Sequence, residues 1–435
     1  MPTVHASQTP FSAVDEALDL ADSAHYPVNV HIEAKASRRL DAEKLRAAVQ
    51  TALQIHPLAR AFKVPPKPKD KVVYWEVSES TGIDPFLVVE GNDEAGVNRA
   101  RNQLLSVQVP LHEAPPLRVW LVRCDSGDHV ILNVHHAAAD GIGTLRFLRS
   151  ILRAYNNEDD QTGDVDALEA RDLDQFYGAA SRTEKSKRLM SFLLAMRRQM
   201  AEHTGVSQCG AIQRSGYGCY HLTVEAAEVA ALNPKKHVDA TFNDLLVAAL
   251  HRTIEVWNDR QQDGTGLVRV MSPVNLRPKE WWFEVFGNFA ISFATNSKQG
   301  DRKSPERLIA AITEQSRVAK EKGFAESLLL GLNVNSKLPA WAKDLLFQNA
   351  GEKGAASAIL TNAGRIGEAL SFGDDGDAAE VWISPPAPMP DGLGIGVTNY
   401  NGRIHLSFRH SYELLSDEAV AEFAELYRET LHWLS

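Results

Sequence analysis

The sequence of 435 residues is poor in cysteine, with only Cys124, Cys209 and Cys219. No two of them form a CxxC pair, and an odd number at irregular spacing does not make a disulfide framework. Reduced thiols are typical of proteins that stay inside the cell. The low cysteine content therefore favours a cytoplasmic protein without structural disulfides.

The sequence also lacks an excess of positive charge and lacks long apolar runs. Its 46 Lys and Arg residues against 56 Asp and Glu residues give a net charge of −10 at pH 7, whereas nucleic-acid binding requires a basic surface. The apolar run LLVAAL at 245–250 is far too short to cross a bilayer. We therefore expect no nucleic-acid partner and no membrane contact. The N-terminal residues show no signal-peptide pattern, which again favours the cytoplasm.

What the sequence does contain is an alternation of strand and helix patterns in both of its halves. In the first half, a strand is predicted at 28–34, a helix between Asp41 and Pro57, and a hairpin at 117–124 and 129–136. In the second half, Thr241 precedes an apolar helix, and NYNG at 399–402 indicates another hairpin. Since 435 residues exceed one ordinary core, we predict an α/β protein of two lobes. The boundaries are an N-terminal lobe at 1–172, a crossover connection at 173–215 and a C-terminal lobe at 216–435.

Within that connection, residues 182–200 form a basic pattern with an apolar centre, RTEKSKRLMSFLLAMRRQM. One interpretation is a helix that packs across the two lobes and leaves its ends solvated. The other is a surface for a carrier protein or a membrane. The packed helix is the commoner outcome for such a pattern.

Two adjacent histidines, His135 and His136, end the apolar run ILNVHH, and Asp140 and Gly141 follow before a helical pattern begins. Metal binding is disfavoured because adjacent strand residues point to opposite faces and no further ligand has a recognisable spacing, so we predict no metal site. Two interpretations remain. The imidazoles are either buried structural groups or include a general base, since imidazole titrates near neutrality.

The segment HHAAADG resembles the HHxxxDG signature of the chloramphenicol acetyltransferase-like superfamily, which includes the condensation domains of nonribosomal peptide synthetases. Further segments resemble the family in the same order along the chain. These are HPLARA at 56–61, APPLRVWLV at 114–122, SPVNLRP at 272–278, FGNFAIS at 286–292 and ILTNAGRIG at 359–367. The matches span most of the chain. The superfamily also includes the plant-type BAHD acyltransferases, which carry a DFGWG motif. This motif is absent here, which argues against a plant-type enzyme.

The resemblance implies a fold and a set of roles. The fold would be two chloramphenicol acetyltransferase-like lobes forming a V-shaped pseudo-dimer with a tunnel between them. The second histidine of the signature, His136, would be the catalytic base, and His135 would support it. Asp140 would pair with Arg277 of NLRP to hold the catalytic loop, and Gly141 would allow a positive φ or close packing.

The resemblance also implies the chemistry. A thioester donor, either acyl-CoA or a phosphopantetheinylated carrier protein, would meet an alcohol or amine acceptor at His136, in natural-product or lipid biosynthesis. The oxyanion would need a hydrogen-bond donor, for which Asn288, Thr361 and Asn362 are candidates. No permanently bound cofactor is implied. Lys67, Lys69 and Lys71 could contact phosphate groups, although a lysine-rich loop is more often only solvated.

No adenylation, carrier-protein or thioesterase segment accompanies the signature, so we expect a free-standing monomer. The alternative function is a non-catalytic relative that binds carrier proteins or acyl chains. A damaged signature would mark such a protein, and this signature is intact. The sequence therefore favours an acyltransferase that forms an ester or an amide.

Overall fold

A computed structural model describes residues 7–160, 165–173, 183–184, 186–190, 202–210, 215–232, 239–278, 284–320, 322–343 and 356–435. Most of the predicted connection at 173–215, including most of the basic segment 182–200, lies outside the described residues. Within the described part of the chain, no helix has the length and apolarity needed to span a membrane.

Strands and helices alternate along the described chain. The strands are β1 Ser7–Pro10, β2 Asn29–Ala36, β3 Ala61–Val64, β4 Tyr74–Val77, β5 Phe86–Asn92, β6 Leu117–Cys124, β7 His129–His135, β8 Tyr217–Val224, β9 Val268–Asn275, β10 Ala290–Ser297, β11 Ala358–Ile366, β12 Ala378–Ser384, β13 Leu393–Tyr400 and β14 Arg403–Ser411. The helices are α1 Ala13–Ala21, α2 Ala42–Ile55, α3 Glu94–Ser106, α4 Gly141–Tyr155, α5 Ala226–Ala231, α6 Phe242–Arg260, α7 Pro305–Lys320, α8 Lys322–Ser336 and α9 Asp417–Leu434. The predicted α/β class is confirmed.

The predicted helix starts and turns are found at the predicted residues because the local signals are strong. Asp41 and Thr241 are N-caps whose side chains accept backbone N–H groups of the first turn. The β13–β14 hairpin turns at Asn401 and Gly402, which have φ values of 52° and 75°. Two successive positive φ angles are what a tight hairpin with the strand twist requires.

The first sheet has the strand order β12-β2-β7-β6-β5. Helices α2 and α4 contribute one large apolar core on this sheet, and α3 contributes a smaller cluster with β6 and β7. Every residue of β7 is buried. The sheet is therefore sandwiched between helices, and the strand that leads into the histidine pair runs through its middle.

The second sheet has the order β10-β9-β11-β13-β14-β8, and its core is shared with α6, α7 and α9. A small sheet, β1-β4-β3, completes the described strands. The two large sheets are tied together by Arg409 of β14. Its guanidinium is buried and donates to the Asn29 side chain at 2.8 Å and to the Leu105 carbonyl at 2.9 Å. Side chains of one sheet thus reach the backbone of elements packed on the other.

One strand crosses between the halves of the chain. β12, from the last quarter of the sequence, pairs antiparallel with β2 and so lies at the edge of the first sheet, with Trp382 opposite Glu33. The lobe boundaries at 1–172 and 216–435 stay a prediction, and any such division has to assign β12 to the sheet of the N-terminal half.

Candidate active site

The catalytic-loop candidate begins where β7 ends. The His136 N–H donates to the Val28 carbonyl at 2.9 Å, and the Ala138 N–H donates back to the His135 carbonyl at 2.9 Å. The chain then turns into α4, whose N-cap is Asp140. A buried central strand, a short turn and a capped helix therefore fix the backbone on both sides of His136.

His135 and His136 point to different surroundings, as expected of adjacent residues at a strand end. His135 is buried, its Nε2 lies 3.2 Å from the Asp22 carboxylate, and its Nδ1 accepts the Ala137 N–H at 3.1 Å. Both ring nitrogens of His135 are thus occupied. His136 is only partly buried and lines a cavity of about 230 Å³.

That cavity lies between elements of both sheets. Its wall includes the start of α4, the end of β9, the middle of β11 and the end of β12. The lining residues are Val30, His136, Asp140, Gly141, Ile142, Pro273, Asn275, Arg277, Ala290, Thr361, Asn362, Ala363, Gly364, Ile383, Ser384 and Pro385. Of these, only His136 carries an imidazole, so it is the one lining group suited to accept a proton near neutral pH.

The environment of His136 keeps its ring neutral. Burial lowers the pKa of His136 below its ordinary value of 6.5, and the neighbouring His135 adds to the lowering, although a hydrogen bond to its own backbone and the Asp140 charge act in the opposite direction. Its Nδ1 has no other hydrogen-bond partner among the described residues. A neutral imidazole at pH 7 is the form that can accept a proton.

Asp140 and Arg277 form a buried ion pair that joins the two halves of the chain, with 2.6 Å between Arg277 Nη1 and Asp140 Oδ2. Asp140 also accepts the backbone N–H groups of Gly143 at 2.8 Å and Phe289 at 2.9 Å. Burial alone would raise the pKa of Asp140, but the Arg277 charge and these hydrogen bonds outweigh it and hold that pKa below its ordinary value. Asp140 is therefore a carboxylate with satisfied oxygens.

Arg277 is held as firmly as its partner. Its Nη2 donates to the Gly287 carbonyl at 2.8 Å, and its guanidinium lies 4.5 Å from the centre of the Phe289 ring. The same Gly287 carbonyl accepts the Asp140 N–H at 3.2 Å. The pair and the backbone of 287–289 thus form one closed hydrogen-bonded unit under the His136 loop.

The two glycines in the first turn of α4 are required for close approach rather than for an unusual φ. A Cβ on Gly143 would lie 2.6 Å from the Gly287 carbonyl oxygen, which is backbone and cannot move aside easily. A Cβ on Gly141 would lie 2.6 Å from Ile383 Cδ1, the flexible end of a side chain in the cavity wall. Neither has a positive φ, so of the two expectations for Gly141, close packing fits the structure.

The three oxyanion candidates lie in different positions. The Asn288 side chain is buried, donates to the His136 carbonyl at 2.8 Å and is absent from the cavity wall, so it holds the loop backbone rather than facing a ligand. Asn362 lines the cavity, but its amide donates to Asn243 at 3.2 Å and its oxygen accepts the Gly364 N–H at 2.8 Å. Thr361 also lines the cavity, and its hydroxyl has no partner among the described residues.

Two parts of the cavity wall are not predicted by the sequence. Ile383 and Ser384 at the end of β12, with Pro385 directly after it, line the same cavity as His136. The apolar run VWIS before a Pro-Pro pair is a strand signal, but nothing local indicates that this strand joins the first sheet. Asn275 of β9, also in the wall, was missed although it stands in the SPVNLRP segment.

No family model matches the chain. The chain is 33% identical to the uncharacterised protein Rv2305 of Mycobacterium tuberculosis (strain ATCC 25618 / H37Rv) over 429 residues, which is 97% of this chain and 98% of that protein. It is 22% identical over 354 residues to a segment of bacitracin synthase 3 of Bacillus licheniformis, 75% of this chain but 5% of that much longer protein.

Solved structures share the fold at lower sequence identity. The first condensation domain of the CDA synthetase has a TM-score of 0.73 at 13% identity, covering 98% of this chain and 96% of that one. The trichothecene 15-O-acetyltransferase TRI3 of Fusarium sporotrichioides has a TM-score of 0.70 at 11% identity, covering 98% and 95%. The chain therefore has the fold of condensation domains and of an acetyltransferase.

Proposed function

We propose, from the premise that this chain belongs to the family of the uncharacterised Mycobacterium tuberculosis protein Rv2305, that it is an acyltransferase. It transfers an acyl group from a thioester to an alcohol or amine and uses His136 as the general base. The observation that carries the proposal is the position of His136, a partly buried imidazole with a lowered pKa on the wall of a cavity between the two sheets.

The reaction needs one proton acceptor and one oxyanion donor. His136 takes the proton from the acceptor hydroxyl or amine as that atom attacks the thioester carbonyl. The tetrahedral oxyanion receives a hydrogen bond from the Thr361 hydroxyl, which lines the cavity and has no partner among the described residues. The intermediate then collapses, the C–S bond breaks, and the imidazolium returns the proton to the departing thiolate. No covalent acyl-enzyme is formed.

The remaining residues of the site position these groups. His135 is clamped to Asp22, Asn288 holds the His136 carbonyl, and the Asp140–Arg277 pair fixes the start of α4. All act through the backbone of the loop. The likeness of the fold to condensation domains supports a phosphopantetheine or coenzyme A thioester as co-substrate, reaching His136 through a tunnel between two lobes.

We further propose a setting for the activity. The protein works as a cytoplasmic monomer in natural-product or lipid biosynthesis, with a carrier protein or coenzyme A as the source of the acyl group. Two observations support a role in such biosynthesis: the intact HHAAADG segment, and the match of 75% of this chain to a segment of bacitracin synthase 3.

Thiol release from a panel of acyl-CoAs and acyl-carrier proteins, with and without alcohols and amines, tests the proposal. We expect acceptor-dependent release by the wild-type protein and a rate about 100- to 10,000-fold lower for His136→Ala. His432→Ala, which removes an exposed imidazole at the end of α9, is the matched control and should match the wild type. Equal release by the wild type and His136→Ala would refute acyl transfer at this site. Binding of acyl-carrier protein without any turnover would favour the non-catalytic alternative.

A further inference from the structure

Three potential metal ligands meet at a corner of the first sheet, away from the acyl-transfer cavity. Glu94 is the first residue of α3, Cys124 the last of β6 and His129 the first of β7. One ligand atom from each lies within 4.8 Å of the others, and none of the three lines the cavity at His136. The turn DSGD between β6 and β7 brings Cys124 and His129 together.

The His129 ring has one nitrogen with a hydrogen-bond partner and one for which the described part of the chain offers none. Its Nδ1 lies 2.6 Å from Glu33 Oε1. Glu33 in turn is held by Arg101 through two hydrogen bonds of 2.6 and 2.7 Å, so it is an ionised carboxylate that only accepts. The proton therefore sits on Nδ1. His129 is 1% exposed, and its Nε2 has no hydrogen-bond partner among the described residues.

A buried imidazole nitrogen without a partner is costly, and this one has the arrangement found at metal sites. Histidines that bind metals commonly donate their second N–H to a carboxylate, which fixes the ring and leaves the other nitrogen as the ligand. Here Glu33 is that carboxylate, and the Arg101 pair holds it in place. The orientation of the ring is thus set before any ion arrives.

The other two groups are partly accessible and linked to each other. Ser126 donates to Glu94 Oε1 at 2.8 Å and lies 3.3 Å from Cys124 Sγ. Lys35 also contacts Glu94 Oε1, at 2.7 Å. Glu94 Oε2 remains for a ligand role, and the Glu94 side chain is 56% exposed, so it can move towards an ion.

The turn between β6 and β7 packs closely against the end of β2 and needs a glycine there. Gly127 has a φ of +121°, and a Cβ there would lie 2.1 Å from the Ala36 carbonyl oxygen. The turn therefore packs tightly against the end of β2, and the distance between Cys124 and His129 is fixed by the hairpin rather than by a mobile loop.

We propose that Cys124, His129 and Glu94 bind a zinc ion, with water in a fourth position on the exposed side. Thiolate, imidazole and carboxylate are the ligands that Zn²⁺ takes, at about 2.0–2.3 Å. Tetrahedral geometry then puts ligand atoms about 3.5 Å apart, so the present separations require only a small contraction, which Glu94 supplies. Cys124 loses its thiol proton to solvent on binding. The ion fastens α3 to the β6–β7 hairpin.

This site differs from the sequence expectation that the chain binds no metal. That expectation rested on the His135–His136 pair, which the structure indeed turns to opposite sides. The spacing Cys-x₄-His across a turn supplies only two ligands, which are too few to predict a metal site from the sequence. The third ligand comes from α3, far away in sequence, and only the parallel pairing of β5 with β6 brings the start of α3 to this corner.

Cobalt(II) titration of the full chain without a histidine tag tests the proposal, since Co²⁺ reports its ligands by absorption. We expect one Co²⁺ per chain, a thiolate-to-cobalt charge-transfer band, tetrahedral d–d bands, and displacement by Zn²⁺. Cys124→Ser should lose the charge-transfer band, whereas Cys209→Ser, which removes another partly exposed thiol, should keep it.

A second pair of variants keeps the test independent of the cysteine. Glu94→Gln should weaken Zn²⁺ binding by at least about tenfold, whereas Glu90→Gln, an exposed glutamate on the neighbouring strand, should not change it. Absence of a thiolate band in the wild type, or equal Zn²⁺ affinity in wild type and Glu94→Gln, would overturn the proposal. Neither result depends on the acyltransferase activity.

Discussion

His135 and His136 show how neighbouring identical residues acquire different roles. The strand end turns them to opposite sides, so His135 meets Asp22 and a backbone N–H while His136 meets the cavity. Each of these contacts occupies one ring nitrogen of His135, so neither nitrogen is available to accept a proton from a substrate. His136 keeps a lowered pKa and has no such partner from another residue, which is what a general base requires.

The lowered pKa of His136 sets the pH dependence of the proposed reaction. Only the neutral ring accepts a proton, so activity is present above the folded pKa and is lost as the pH falls through it. Because that pKa lies below 6.5, we expect kcat/KM to keep more than half of its plateau value at pH 6.5 and to reach its half-maximal value at a lower pH. A pH–rate profile measures this. A half-maximal point at or above 6.5 would contradict the neutral, desolvated ring.

Thr361 is the residue on which the oxyanion assignment depends. Thr361→Val keeps the shape and removes the hydroxyl, so we expect kcat to fall about 100- to 1000-fold with little change in KM. Thr361→Ser restores a hydroxyl and should recover most of the rate. Single-turnover acyl transfer separates this effect from product release. Equal rates for the valine and serine variants would move the oxyanion site elsewhere.

At the scale of elements, the loop between β7 and α4 is held from the second half of the chain. Asp140 caps α4, pairs with Arg277 and accepts the Phe289 N–H, so one carboxylate connects a helix start, a strand end and the 287–289 backbone. The loop that carries His136 is thus supported by residues that the chain supplies much later. Folding of the site therefore requires both sheets.

Asp140→Asn and Arg277→Met each leave one buried charge unpaired, and we expect each to lower the free energy of unfolding by about 3–5 kcal/mol. In the double variant no charge is left alone, so the combined loss should be well below the sum, giving a coupling of at least about 1 kcal/mol. Urea denaturation of the four proteins completes the cycle. Arg365→Met, on an exposed residue of β11, controls for loss of an arginine. Additive losses would show that the pair is energetically uncoupled.

The elements differ in how far the sequence could predict them. The α2 and α6 starts, the β6–β7 hairpin and the β13–β14 turn were predictable because caps and turn residues act within a few positions. The edge position of β12 was not predictable, because its pairing with β2 joins segments that are far apart in the sequence and no local residue pattern indicates it. Asn288 shows the same limit for a side chain: its type suits an oxyanion donor, but its contact with the His136 carbonyl depends on how the two halves meet.

At the scale of the whole molecule, neutral histidines are built into both cores. Burial, with the nearby charge of Arg146, lowers the pKa of His56 to about 3, and burial with Arg302 lowers that of His251 to about 3. Burial with Arg403 lowers the pKa of His405 to about 4. His56 bonds Ser150 at 2.7 Å, and His251 bonds Thr295 and Ser297 at 3.0 and 2.8 Å. These rings serve as uncharged hydrogen-bonding groups within the packing.

This placement predicts loss of stability at moderately acid pH. In the unfolded chain these histidines titrate near about 6.5, so below that pH the unfolded state binds protons that the folded state does not. Stability is therefore complete above about 6.5 and falls as the pH drops towards the folded values of about 4 and about 3. Each ring contributes up to about 1.4 kcal/mol per pH unit. Asp160, whose pKa is held at about 2, adds its own loss only at lower pH.

Urea denaturation at pH 7, 6, 5 and 4.5 measures the slope. His56, His251 and His405 together contribute a fall of about 3–4 kcal/mol per pH unit below pH 6, and the lowered pKa of His136 adds to it. His251→Gln lowers stability at pH 7 because it disturbs the contacts with Thr295 and Ser297, but it should also reduce the slope by about 1 kcal/mol per pH unit, since the proton of this ring is no longer taken up. His432→Gln removes an exposed histidine and should leave the slope unchanged. If His251→Gln shifted the whole curve without changing its slope, His251 would not be the neutral buried ring on which this account of acid sensitivity depends.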